Sequence, residues 1–160
     1  MRWPWSSPPP RLANAQADAL LQDLLSRDAT RIVDSARTVA RLFDTAVLDA
    51  LAPHAGRIES ACAGIALGGA LVSLKTHLEF ALRRLNYWQA RSGCLCALNP
   101  HYLFFDPRRL IDQGQMQLLC VAEAEDGWGA CHHVACTQCG QRWQATDREY
   151  HYPWWEWKVA

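Results

Sequence analysis

The chain has 160 residues, half of them hydrophobic, and 16 basic side chains balance 16 acidic ones. That composition excludes global disorder, a collagen-like or low-complexity chain, and a strongly basic nucleic-acid binder. The balance is uneven along the sequence. Residues 1–91 hold 11 basic and 8 acidic groups (+3), and residues 92–160 hold 5 and 8 (−3).

Residues 1–11 read as a flexible Pro/Ser arm, with Pro4, Pro8, Pro9 and Pro10 around Trp3 and Trp5. They contain no apolar run of the kind a signal peptide needs. From Leu12 to about Ala52 the apolar spacing is helical. Leu20, Leu21, Leu24 and Leu25 start a stripe that Ile32, Val33, Ala36, Val39, Ala40, Phe43, Val47, Ala50 and Leu51 continue in steps of three and four. This stretch is one long helix, or two with a break near Ser26–Thr30. Its intervening Arg and Asp residues form a solvated face, and Pro53 ends it.

A third helix follows through Ile58, Ala61, Cys62 and Ile65, and the Gly68–Gly69 pair breaks or kinks it. A fourth carries Leu71, Leu74, Leu78, Ala81, Leu82 and Leu85, with Lys75, Arg83 and Arg84 on its outer side. Residues 12–91 are therefore expected to form a bundle of three or four helices. The most apolar segment, Ala61 to Leu74, is interrupted by Gly64, Gly68, Gly69 and Ser73 and falls short of the ~18 residues of a membrane span. A cytoplasmic protein is the expectation.

After Arg91-Ser92-Gly93 the pattern changes. Tyr102–Phe105, Met116–Val121, Gly129–Ala135 and Gln141–Ala145 are short β-rich runs bounded by Pro, Gly and Asp. The chain as a whole is expected to be α+β, with residues 92–160 forming a small β-rich, zinc-ribbon-like region that ends in an aromatic tail.

The expected metal centre lies there. In a reducing compartment, paired cysteines point to metal rather than disulfides. Cys94-Leu-Cys96 and Cys136-Thr-Gln-Cys139-Gly140 supply four thiolates in two tight clusters, the donor set of a tetrahedral structural Zn²⁺. Gly140 suits the turn after the second pair. One of Cys131, His132 and His133 is a rival ligand. His132 and His133 point to opposite faces of a strand, so at most one joins easily. Buried or incidental thiols are the remaining alternative. Cys62 and Cys120 sit in apolar surroundings and read as core residues.

The tail Trp143, Tyr150, Tyr152, Trp154, Trp155 and Trp157 is a recognition surface, a platform for stacking bases or sugars or, the favoured reading for most rings, packing that roofs the metal site and covers the helical bundle. Arg148 and Glu149 are candidates to pair there. An enzymatic reading rests on His77-Leu78-Glu79 with Cys136-x-x-Cys139, which is similar to the signature of zinc deaminases. Ala135 stands where that pattern has Pro, and Cys94 and Cys96 would be left unexplained. No Ser/His/Asp grouping, P-loop or dinucleotide fingerprint is present, so no catalytic residue is assigned.

Cys94-x-Cys96, Cys136-x-x-Cys139-Gly140-x-x-Trp143 and Arg148-Glu149-Tyr150-His151-Tyr152-Pro153-Trp154-Trp155-x-Trp157 together resemble small bacterial immunity-type proteins. Those proteins neutralise secreted polymorphic toxins, including type VI secretion effectors, by direct binding. The resemblance covers about residues 93–157 and extends to generic zinc-ribbon proteins. It implies Cys94, Cys96, Cys136 and Cys139 as metal ligands, a cognate toxin as partner and no catalytic residues. The acidic residues Asp106, Asp112, Glu123, Glu125 and Asp126 then either face a basic nuclease groove or form an ordinary solvated face. A nucleic-acid-binding zinc ribbon is the alternative, and the −3 charge of this half counts against it.

Overall fold

The computed structural model describes residues 11–149 and 151–160. The expectations for Trp3, Trp5 and the rest of residues 1–10, and for Tyr150, lie outside the described residues. The protein is mixed α+β: helices come first, and a four-stranded antiparallel sheet closes the chain. It divides into two compact units, Met1–Ser92 and Gly93–Ala160.

The first unit holds α1 (Ala15–Leu24), α2 (Ala29–Ala40), α3 (Thr45–Leu51), a 3₁₀ turn (Ala52–His54) containing Pro53, α4 (Ala55–Cys62) and α5 (Lys75–Gln89). Five helices thus replace the expected three or four. The difference lies between residues 12 and 52, where there are three helices rather than one or two. Each of these three starts on an Asx side chain that accepts hydrogen bonds from otherwise unpaired amides of the first turn. Asn14 accepts from the Ala17 N–H, Asp28 from Arg31, and Asp44 from Ala46 and Val47. The last two aspartates were expected on a solvated face. Between α1 and α2, Arg27 adopts φ 61°, a left-handed conformation that no α-helix can propagate.

The apolar stripe is nevertheless the core. Leu20, Leu21 and Leu24 of α1, Ile32, Val33, Ala36 and Val39 of α2, and Val47, Leu48 and Leu51 of α3 are all buried. Ile58 and Cys62 of α4 join them, as do Leu78, Phe80, Ala81 and Leu85 of α5. The Cys62 thiol donates to the Leu24 carbonyl at 3.4 Å, which makes this cysteine a core residue as expected. Between α3 and α5, the Asp49 carboxylate accepts from the Trp88 indole at 2.9 Å and from Arg91 at 2.6 Å.

Two expectations about the fourth helical stretch are corrected. Leu71 is 73% exposed and precedes α5, because the chain first makes a turn at Gly68–Gly69. That turn closes through the Leu74 N–H to the Gly68 carbonyl at 3.0 Å. At Gly69, φ is +115°, and a Cβ would lie 2.1 Å from the Val72 oxygen, so only glycine fits. Arg84 is not on the outer side but fully buried. Its Nε and Nη2 donate to the Leu42 carbonyl, and its guanidinium lies 4.6 Å from the Phe43 ring centroid. The break between α2 and α3 leaves that carbonyl without a helical partner, and arginine reaches it from α5.

The second unit opens with a 3₁₀ helix (Leu95–His101) and α6 (Pro107–Asp112), which Asp106 caps through the Arg108 N–H. β1 (Met116–Glu123), β2 (Ala130–Cys136), β3 (Arg142–Asp147) and β4 (Trp155–Val159) follow as a simple meander in that spatial order. Tyr102–Phe105, expected as a strand, is a loop between the two helical segments. Its rings still pack: Tyr102 and Phe105 are buried and meet edge-to-face at 5.0 Å. Cys120, expected in the core, is exposed on the edge strand β1.

Of the aromatic tail, Trp143 lies on β3 and Trp155 and Trp157 on β4. Trp143, Trp155 and Trp157 are buried, and the Trp157 indole donates to the Phe105 carbonyl at 3.0 Å. Arg148 pairs with Asp126 and Glu156 rather than with Glu149. Among the described residues, no helix is long and apolar enough to cross a membrane.

His77 gives the first unit a pH signature. It is buried on α5, and desolvation, reinforced by Arg37 and Arg41, lowers its pKa to about 4. The unfolded chain, near 6.5, binds the proton first, so folding stability falls as pH drops from about 6.5 to about 4. Wild-type protein should lose on the order of 2 kcal/mol over that window relative to His77→Gln, allowing for partial solvent screening. Parallel denaturant titrations followed by circular dichroism measure the difference. Identical pH slopes in the two proteins would show that His77 does not carry it.

Candidate metal centre

The sulfurs of Cys94, Cys96, Cys136 and Cys139 all lie within 4.8 Å of one another. Cys94 and Cys136 are 3.6 Å apart, and Cys96 and Cys139 are 3.5 Å apart. The edge of a tetrahedron of sulfurs around one zinc-sized ion is about 3.8 Å, from a metal–sulfur bond of about 2.3 Å. A disulfide needs about 2.05 Å, so these are four separate thiols in a cage of the size a metal requires. The cluster can hold a metal ion.

The two pairs reach the cluster by different local structures. Cys136 ends β2, and Cys139 lies in the turn to β3. The Gly140 N–H closes that turn on the Cys136 carbonyl at 2.9 Å, and Gly140 takes φ +77° just beyond the cysteine. This half is ribbon-like. The other pair is not on a strand turn: Cys94 is the N-cap of the 3₁₀ helix, and Cys96 lies within its first turn. Cys94 keeps an extended backbone (φ −69°, ψ 136°) where the helix begins, so the Cys-x-Cys pair straddles the change from extended to helical chain.

Electrostatics divides the four. Burial pushes the Cys94 thiol up to about 11, partly opposed by the Cys96 amide N–H, which donates to its sulfur. Cys96 is pushed up still further by burial and by its thiol neighbours Cys139 and Cys94. Cys139 is exposed and lowered, chiefly by the Gln141 amide N–H. Packed thiols that resist ionisation one by one are what a divalent cation reverses, since its charge is the largest in the site.

Trp143, expected among the rings that roof the metal site, does lie beside the sulfurs. It is buried on β3, and its indole N–H makes no hydrogen bond within normal limits. Its influence falls on Cys96, whose thiolate it favours. Its place four residues after Cys139 was the available signal. The Cys96 and Gln141 amides carry none, because backbone donors look alike in any sequence.

Cys131, His132 and His133 stay outside the cluster. Among the described residues, the four cysteines are the one such group of His, Cys, Asp or Glu side chains. On β2, His132 lies across from Ala145 and His133 from Gln144, on opposite faces of the sheet. His132 packs edge-on to Trp155 at 5.4 Å, with a pKa lowered by burial and by Arg108. The buried Cys131 faces Thr146. The two helical residues of the deaminase-like pattern have other engagements within the first unit. His77 belongs to the core of the first unit, and the exposed Glu79 pairs with Lys75 at 3.1 Å.

No family model, curated protein or solved structure matches this chain.

Two substitutions probe the cluster. Cys136→Ser should abolish tight metal retention and unfold much of residues 93–160, because metal at such a site contributes on the order of 10 kcal/mol. Elemental analysis after dialysis against chelator reads this directly, and full metal retention would count against the cage. Trp143→Phe keeps a ring but removes the N–H. Competition with a chromophoric chelator should show metal affinity about 10-fold weaker or more. Unchanged affinity would make Trp143 a packing residue only.

Proposed function

We propose that the protein is a non-enzymatic binding protein whose second unit is held together by one structural Zn²⁺ on Cys94, Cys96, Cys136 and Cys139. The observation that carries this reading is the close approach of four sulfurs drawn from two separate chain segments. Soft thiolates select zinc over the hard divalent cations. Four protein ligands close the coordination sphere, so the ion supplies folding free energy and no activated water.

Its partner, on this proposal, is a cognate secreted toxin that it neutralises by direct contact. The resemblance of residues 93–157 to immunity-type proteins supports that assignment. So does the β1–β2 turn, which presents Trp128, 61% exposed, beside the exposed Glu123 and Glu125. An exposed tryptophan in an acidic turn suits a contact with a basic groove, where aromatic anchors carry most of the energy.

Purified protein should contain one zinc per chain, and its cobalt derivative should show the absorption of a tetrahedral all-sulfur site. Co-expression with the product of the neighbouring gene should relieve that product's toxicity. Trp128→Ala should weaken the complex by about 2 kcal/mol in a binding titration. A metal-free native protein defeats the first claim. Undiminished toxicity, or retention on nucleic acid at low salt instead of a protein complex, defeats the second.

A further inference from the structure

The face of the sheet opposite the buried tryptophans is polar. On β2, Cys131 and His133 lie two residues apart and so share that face. Thr146 of β3 lies across from Cys131 and Gln144 from His133, and Lys158 of β4 lies across from Gln144. With Arg148 and the β1–β2 turn, these residues line a cleft of about 270 Å³. Sites for drug-sized ligands run to roughly 300–1,000 Å³, so this cleft takes one small group.

Its floor holds polar groups without partners. Thr146 is 8% exposed and Cys131 is 6% exposed. Neither the hydroxyl nor the thiol makes a hydrogen bond among the described residues, and the half-buried His133 and Gln144 side chains make none either. A buried hydroxyl that has given up water without gaining a partner is costly, and a ligand that bonds it removes the cost.

The charges at the rim are unequally used. Arg148 pairs with Asp126 and Glu156, and Lys158 pairs with Glu156 at 3.0 Å. These links fasten the β1–β2 turn to β4 and engage both cations. Glu123 and Glu125 also line the cleft, are exposed, and have no ion-pair partner among the described residues. The charge left over is therefore negative, which disfavours an anion. A metal ion is disfavoured too, because no third donor joins any two of these acids, His133 and Cys131 at ligating distance among the described residues.

We propose that this cleft binds a guanidinium group, as carried by arginine. Its acceptors stand in two sets: the Glu123 and Glu125 carboxylates beside the turn, and the Gln144 and Thr146 side-chain oxygens on β3, with β2 between them. A guanidinium is planar and carries five N–H donors on different edges, so one group serves both sets. An ammonium gathers its three donors at a single point and serves one set at a time. The inference depends neither on the zinc nor on which protein is the partner.

Nuclear magnetic resonance titration of the full, metal-loaded chain with N-acetylarginine amide tests this. Amide shifts at residues 123–126, 131–133 and 144–146 should saturate with a dissociation constant of about 1 mM or tighter. Glu123→Gln combined with Glu125→Gln should weaken binding about tenfold or more. Thr146→Val keeps the shape and removes the hydroxyl; it should weaken binding severalfold without lowering the melting temperature. A threonine needed only for packing would show no such loss of binding. The neutral isostere N-acetylcitrulline amide should bind at least tenfold more weakly than the arginine probe, and N-acetyllysine amide should also bind more weakly. A short arginine-containing peptide separates the two sources of the group: tighter binding than the free probe supports a partner's side chain, and equal binding supports a small free cation. Absence of saturable shifts at the cleft overturns the proposal. So do equal shifts from the citrulline or lysine probe, binding untouched by the glutamate substitutions, or a response to added Zn²⁺ with none to arginine.

Discussion

The second unit depends on four sulfurs meeting although 39 residues separate the two cysteine pairs. From one pair to the other the chain runs through the 3₁₀ helix, α6 and the first two strands. Closing a loop of that length costs chain entropy that a unit of this size offsets only with difficulty from its apolar core. Trp143, Trp155 and Trp157 cover one face of the sheet, and β1 stays almost wholly exposed. The unit therefore has a thin core on one side of a short meander, the situation in which a metal cage stabilises most.

The first unit is organised in another way. Its first three helices are short and begin on Asn14, Asp28 and Asp44, and the same apolar stripe runs through all three. A single helix with that stripe would be too long to bury it against itself. Breaking it at capped turns lets successive segments fold back on one another, at the expense of stranded carbonyls between them. Arg84 resolves one of these at Leu42. A buried cation is costly unless its donors are used, and here a carbonyl and the face of Phe43 receive it.

What was readable differs by level. The apolar positions of α1 to α5, the strands β1 to β3 and the four clustered cysteines all carry local signals: periodicity, alternation, or a pair of thiols in close spacing. Asp28 and Asp44 carried a signal as well, an Asx before a run of helix formers, which the continuity of the apolar stripe concealed. Tyr102–Phe105 has the composition of a strand but follows Pro100 and precedes the Asp106–Pro107 cap, which hold it as a loop. Cys120 sits among Leu118, Leu119 and Val121 and so looks like core, yet an edge strand exposes apolar residues as readily as polar ones.

The sequence by itself determined which residues are apolar enough to be buried, where helical periodicity gives way to strands, and that two cysteine pairs exist to be matched. These are properties of near neighbours along the chain. Only the tertiary structure decided that Arg84 turns inward, that His132 and His133 stay away from the sulfurs, and that β1 lies at an open edge. Each of those depends on which distant segment arrives opposite, and a side chain's burial and charge state follow from that neighbour rather than from its own identity.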